Sequence, residues 1–195
     1  LLRWIGRIFI ISGLIVLITV GYLLYDFYLG SNYQTKEAHD ILMNYGYNDD
    51  DIDVNKLLKR KDFEPRIGEV YGTLEIPAIE LLLPIVYGSE LEHLRYGIGH
   101  DPRTALPSDG EQVFLSAHND SAFLNIGDLN PGDNIFINTP FGRFEYIIDY
   151  SEVAHESETW RVGNNDFEEL VLMTCYPFFS LTRPEDRYLV YAKPV

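Results

Sequence analysis

Apolar residues fall along this chain in three different textures. From Ile8 to Tyr25 there are 18 residues without a charge. As a helix rising about 1.5 Å per residue this run is roughly 27 Å long, enough for the hydrocarbon core of a bilayer. Arg3 and Arg7 precede it, while Asp26 and a mostly acidic region follow, so the positive-inside rule places the N-terminus in the cytoplasm and the rest outside. Trp4, Tyr22, Tyr25 and Tyr28 stand where interfacial aromatics belong. A cleaved signal peptide is the competing reading, but the run is long for one and no Ala-x-Ala-like site follows, which favours an uncleaved anchor.

The second texture is helical. Ala38, Ile41, Leu42 and Tyr45 recur at helical spacing within Tyr33 to Tyr45, closed by Gly46, and predict one amphipathic helix. The run Asn48 to Asp53 has the composition of a calcium loop without its glycine and terminal Glu. It reads instead as a solvated turn whose aspartates cap a helix over Val54 to Lys61. Phe63 to Gly68, with Pro65 inside, marks a boundary.

From Val70 onward the period shortens to that of strands. Gly72 to Pro77, Leu81 to Val86, Gln112 to His118, Asn134 to Asn138 and Arg143 to Asp149 are strand candidates, the last two joined as a hairpin through Pro140 and Gly142. Ser89-Glu90-Leu91-Glu92 has the form of a capping box and predicts a short helix to about Tyr96. Val171 to Met173 continues to Thr174-Cys175 before Pro177 stops the ladder, and Arg187 to Ala192 returns as another strand. Seven strands joined by irregular loops predict a mainly β fold, a small closed β-barrel with short helices. The expected organisation is a cytoplasmic stub and transmembrane helix over 1–28, a helical linker over 29–67 and the barrel domain over 68–195.

Composition narrows the function. With a net charge of −15 over 195 residues there is no basic patch to neutralise phosphates, which argues against nucleic acid as a partner. One cysteine excludes an internal disulfide. A free cysteine is usually a buried small hydrophobe. On the outer side of a membrane, however, an unpaired thiol at a strand end is a candidate reactive group. If the last two strands pair as antiparallel neighbours, about 4.8 Å apart, Arg187 opens its strand opposite the place where Cys175 closes the other.

Five histidines compete for the role of base. His39 and His93 lie on predicted helices, His155 in a late loop and His100 in a turn, and each reads as a surface or satisfied polar residue. His118 ends an apolar strand, as Cys175 does, so both project from one rim. A metal site built from His118, Asn119 and Asp120 with His100 or His155 matches no zinc spacing. No metal and no cofactor are expected.

Thr174-Cys175-Tyr176-Pro177-Phe178 after an apolar strand, with the returning Arg187-Tyr188-Leu189-Val190, resembles the C-terminal motif of the sortases, and the Cys-Tyr-Pro-Phe form is most similar to class D. Leu74-Glu75-Ile76-Pro77 with Leu83-Pro84-Ile85-Val86-Tyr87-Gly88 is similar to the family's opening strands. Gly97 to His100 and Thr104 to Pro107 are similar to its next segment, and Leu115 to Asp120 falls where it carries its catalytic histidine. The likeness covers about Val70 to Ala192. Ala117 stands where the family usually has Gly, Val171 where it often has Thr, and Arg103 and Ser108 replace usual loop glycines.

The resemblance implies a sortase-like barrel and a membrane-anchored cysteine transpeptidase. Cys175 is its nucleophile, His118 its acid and base, and Arg187 its oxyanion or substrate-backbone contact, with Thr174, Asp120 and Ala117 supporting or binding substrate. It implies an LPxTG-type C-terminal sorting signal on a secreted protein as substrate, and an amine of cell-wall precursor or pilin as acceptor. Arg183, in the preceding loop, is the rival for the arginine role. Two other classes remain open at this stage: a cysteine peptidase using the same pair with water as acceptor, and a membrane-tethered β-domain that binds without chemistry.

Overall fold

The computed structural model describes residues 2–47, 52–95, 97–163, 165–178, 180 and 184–195. The acidic run at 48–51, expected as a turn, Tyr96 and the rival Arg183 lie outside the described residues. The two helices expected before residue 46 are one, α1, Leu2–Asn44. Nothing between them breaks it: the intervening stretch has no proline, and an isolated Gly30 costs only about 1 kcal/mol in a helix. Its first half is exposed and apolar on all sides (Phe9 73%, Leu17 71%), long and apolar enough to cross a membrane. Its second half meets the barrel, where Ala38 packs against Val70 and Val86.

Two predicted helices are absent. Residues 54–61 form turns, with a single 3-10 turn at Arg60–Asp62. A segment this short does not repay helix nucleation unaided. Its backbone has better partners elsewhere, since the Leu58 amide donates to the Pro140 carbonyl at 2.9 Å. Residues 90–95 make one turn, closed by the amides of His93 and Leu94 on the Glu90 carbonyl. The Glu90 amide donates to His93 Nδ1 at 3.3 Å, one residue along from the Ser89–Glu92 pair of the capping-box reading.

Eight strands close the barrel: β1 Val70–Ile76, β2 Leu81–Tyr87, β3 Ile98–His100, β4 Gln112–Ser116, β5 Asn134–Thr139, β6 Gly142–His155, β7 Glu169–Tyr176 and β8 Asp186–Pro194. They run in the order β1-β2-β3-β4-β7-β8-β6-β5. β2 with β3 and β4 with β7 are parallel, and the other pairs are antiparallel. β3 escaped the sequence reading because it is three residues long with a central glycine. Gly99 has no room for a side chain: a Cβ there would lie 2.5 Å from the Gly88 carbonyl oxygen and from Leu94 Cδ2. β6 outruns its predicted end at Asp149 by crossing a bulge between Ile148 and Tyr150, which places His155 at a strand end rather than in a loop.

Inward-facing Leu74, Ile85, Ile98, Leu115, Ile137, Leu170, Leu172 and Val190 fill the barrel. A side chain of this kind contributes about 1.5–3 kcal/mol when fully buried.

Candidate active site

β7 and β8 run antiparallel, and their register sets Cys175 directly against Arg187. β4 lies on the other side of β7, in parallel, with Ser116 beside Met173. β4 ends there, two residues before His118, so the strand is shorter than its hydrophobic pattern suggests. The pairing nevertheless continues by one step: the Ala117 amide donates to the Met173 carbonyl at 3.1 Å, and Thr174 Oγ1 donates to the Ala117 carbonyl at 2.8 Å. Carried one residue further, the same offset places His118 beside Cys175. Downstream, Asn119 Nδ2 donates to the Pro177 carbonyl at 3.1 Å, tying the segment after His118 to the segment after Cys175.

His118, Cys175 and Arg187 line one cleft of about 330 Å³, with Thr174 and Ala117 in its wall. The Cys175 thiol is free and half-buried, His118 is half-buried and Thr174 is fully buried. Asp120 is exposed and does not line the cleft. The Arg187 side chain is 17% exposed and held at three points. Nη1 donates to the Pro184 and Asp186 carbonyls at 2.8 and 2.9 Å, and Nη2 to Glu156 Oε2 at 2.7 Å. A second, largely apolar hollow of about 230 Å³, with Leu189 in its floor, shares Phe114, Val162, Met173 and Arg187 with the first.

Several contributors were not legible beforehand. Ser89, Leu91 and Leu94 reach the cleft from the β2–β3 turn, which the capping-box pattern had assigned to a helix. Glu156 follows β6 directly, and no sequence signal linked it to Arg187. Arg103 lines the cleft with its charge already engaged, donating through Nε and Nη2 to Asp101 at 3.0 and 2.6 Å. Burial pushes the Asp101 carboxyl up, but the Arg103 bonds outweigh it and hold the group below its usual value.

The other histidines stand apart from this cleft. His39 is exposed on α1, and His93 lies in the β2–β3 turn rather than on a helix. His100, expected in a turn, is in β3 and fully buried. Tyr71 Oη lies 2.6 Å from its Nδ1 and Thr104 Oγ1 lies 3.2 Å from its Nε2. Thr104 spends its proton on the Asp101 carbonyl, so Nε2 carries the hydrogen and Nδ1 accepts from Tyr71. Burial lowers the His100 pKa to about 4 and leaves the ring neutral.

Fold and cleft together define a β-barrel with a strand-end thiol flanked by imidazole and guanidinium. The Sortase domain family model matches residues 74–195, and the chain belongs to the sortase family of cysteine transpeptidases. It is 35% identical over 137 residues to Sortase D of Bacillus subtilis (strain 168), covering 70% of this chain and 69% of that protein. The structure of a Clostridium perfringens Sortase D5 transpeptidase superposes with a TM-score of 0.68 at 27% identity, over 85% of this chain and 99% of that one. Sortase A from Corynebacterium diphtheriae gives 0.59 at 28% identity, over 65% and 61%.

Proposed function

We propose that this sortase is held in a cell membrane by residues 1–28, with the N-terminus cytoplasmic, and carries its catalytic domain outside on a helical segment that continues α1. It cleaves an LPxTG-type C-terminal sorting signal and joins the new carboxyl end to an amine of cell-wall precursor or pilin. The observation that carries the reading is the meeting of His118, Cys175 and Arg187 in one cleft, supplied by the segment after β4 and by the adjacent strands β7 and β8.

The Cys175 thiolate attacks the scissile carbonyl carbon, and Arg187 donates to the oxygen that gains charge or to the substrate backbone. The C–N bond breaks as His118 gives its proton to the departing amine, leaving a thioester on Cys175. An incoming amine attacks that thioester while His118 takes up its proton. The C–S bond breaks and the thiolate returns. Thr174 supports His118 through the Ala117 carbonyl.

The test is to incubate the protein with sorting-signal peptides, with and without oligoglycine or another primary amine, and follow products by mass spectrometry. Cleavage, diversion from acid to amide by added amine, and hydroxamate release by hydroxylamine are the expected results. Hydrolysis alone across a range of amines returns the chain to the peptidase reading. Topology is tested separately: an impermeant thiol reagent should label Cys175 on intact cells lacking an outer permeability barrier. Labelling only after lysis would contradict this orientation, unless the thiol is occluded in the folded protein as well.

A further inference from the structure

We propose that the cleft opens at the membrane surface, with the turn 89–95 resting on the bilayer that α1 crosses and Leu91 as its contact. The proposal builds on the anchoring reading above and adds where the barrel sits.

Three contacts fix the barrel along α1. Arg95 Nη2 lies 2.7 Å from Asp26 Oδ2. Eight residues later Gln34 packs at Gly97, its Oε1 3.4 Å from where a Cβ would stand, and four residues beyond that Ala38 is buried against Val70 and Val86. Because α1 is unbroken from Leu2 to Asn44, the segment gripped by the barrel and the apolar span are one rod. The depth of the span therefore sets the height of the barrel.

That height is low. Asp26 directly follows Tyr25, the last residue of the uncharged run, so its backbone lies about 1.5 Å along the axis from the end of the span. The turn that Arg95 ties to this point is the same turn that supplies Ser89, Leu91 and Leu94 to the cleft of Cys175 and His118. Leu94 folds down onto Gly99. Leu91 does not, and is 75% exposed. A large apolar side chain at the level of the lipid headgroups gains by leaving water for the interface. Glu90 and Glu92 flank it, so attraction to anionic lipid does not drive the contact. The rigid tether supplies the proximity instead.

The experiment uses the full chain in phosphatidylcholine vesicles, in a Cys175→Ala background, with a fluorophore on Leu91→Cys, Met43→Cys or Leu17→Cys in turn. Met43 lies 18 residues past Tyr25, about 27 Å farther along the helix, and serves as the aqueous reference. Quenching by a headgroup nitroxide lipid and by aqueous iodide is compared. The expected result is several-fold stronger lipid quenching, with weaker iodide quenching, at position 91 than at 43. Equal iodide access at 91 and 43 with position 17 lipid-quenched overturns the surface contact and leaves the anchor standing. Loss of lipid quenching at position 17 removes the anchor and the proposal together.

Discussion

Glu156 Oε2 lies 2.7 Å from Arg187 Nη2, so the guanidinium of the residue paired across the strands with Cys175 is held from the residue that follows β6. The Pro184 and Asp186 carbonyls hold its other nitrogen. A planar fork fixed in this way has a set direction for its remaining donors, which a lysine ammonium lacks.

Arg187→Lys should therefore lower kcat/KM for a sorting peptide by about 10²-fold or more, the usual cost of a lost oxyanion donor, with a smaller effect on stability. Glu156→Ala should cost about tenfold, as expected for losing one charge-assisted bond to a positioning partner, and Glu156→Asp should recover part of it. Wild-type rates in both Glu156 variants would assign orientation of Arg187 to the two carbonyls alone.

Cys175→Ala and His118→Ala should each abolish peptide cleavage with little loss of stability. Both side chains are half-buried at the rim, so truncating them opens no large core cavity. Thermal unfolding read beside activity checks this. Loss of cooperative unfolding in either variant would mark that residue as structural.

Thr174→Val removes the donor to the Ala117 carbonyl while keeping the branched shape, and leaves a buried acceptor unpaired at a cost of about 1–3 kcal/mol. Because that bond lies one residue before His118, turnover should also fall while KM changes little. A lower melting temperature with unchanged kcat would confine Thr174 to a structural role.

His100 predicts a pH dependence separate from catalysis. The folded ring takes a proton only near pH 4, whereas an unfolded histidine does so near 6.5, so between those values the unfolded chain binds more protons. The contribution is complete above about pH 6.5 and is lost as the pH falls towards 4, by at most about 3 kcal/mol. Urea unfolding of the detergent-solubilised chain from pH 7 to 5 should show the decline, and His100→Gln should flatten it. Parallel curves for the two proteins would remove His100 as the source.

Sequence alone determined the parts that depend on neighbours along the chain. The uncharged run from Ile8 to Tyr25 is a long apolar helix whatever it touches, and alternation, with Pro177 as a stop, located seven of the eight strands. Even the facing of Cys175 and Arg187 was readable, because two adjacent antiparallel strands joined by one loop have few possible registers. Tertiary structure decided whatever depended on partners distant in sequence. Residues 54–61 and 89–96 carry helix signals too short to stand alone: the barrel drew the Leu58 amide to the Pro140 carbonyl, and residues 90–95 close only one turn on the Glu90 carbonyl. β3 exists only because β2 and β4 flank it, and Glu156 meets Arg187 only because β6 outruns its pattern past a bulge and pairs with β8. Local propensity is worth tenths of a kcal/mol per residue, whereas burial of one core side chain is worth about 1.5–3, so contacts across the barrel prevail where the two disagree.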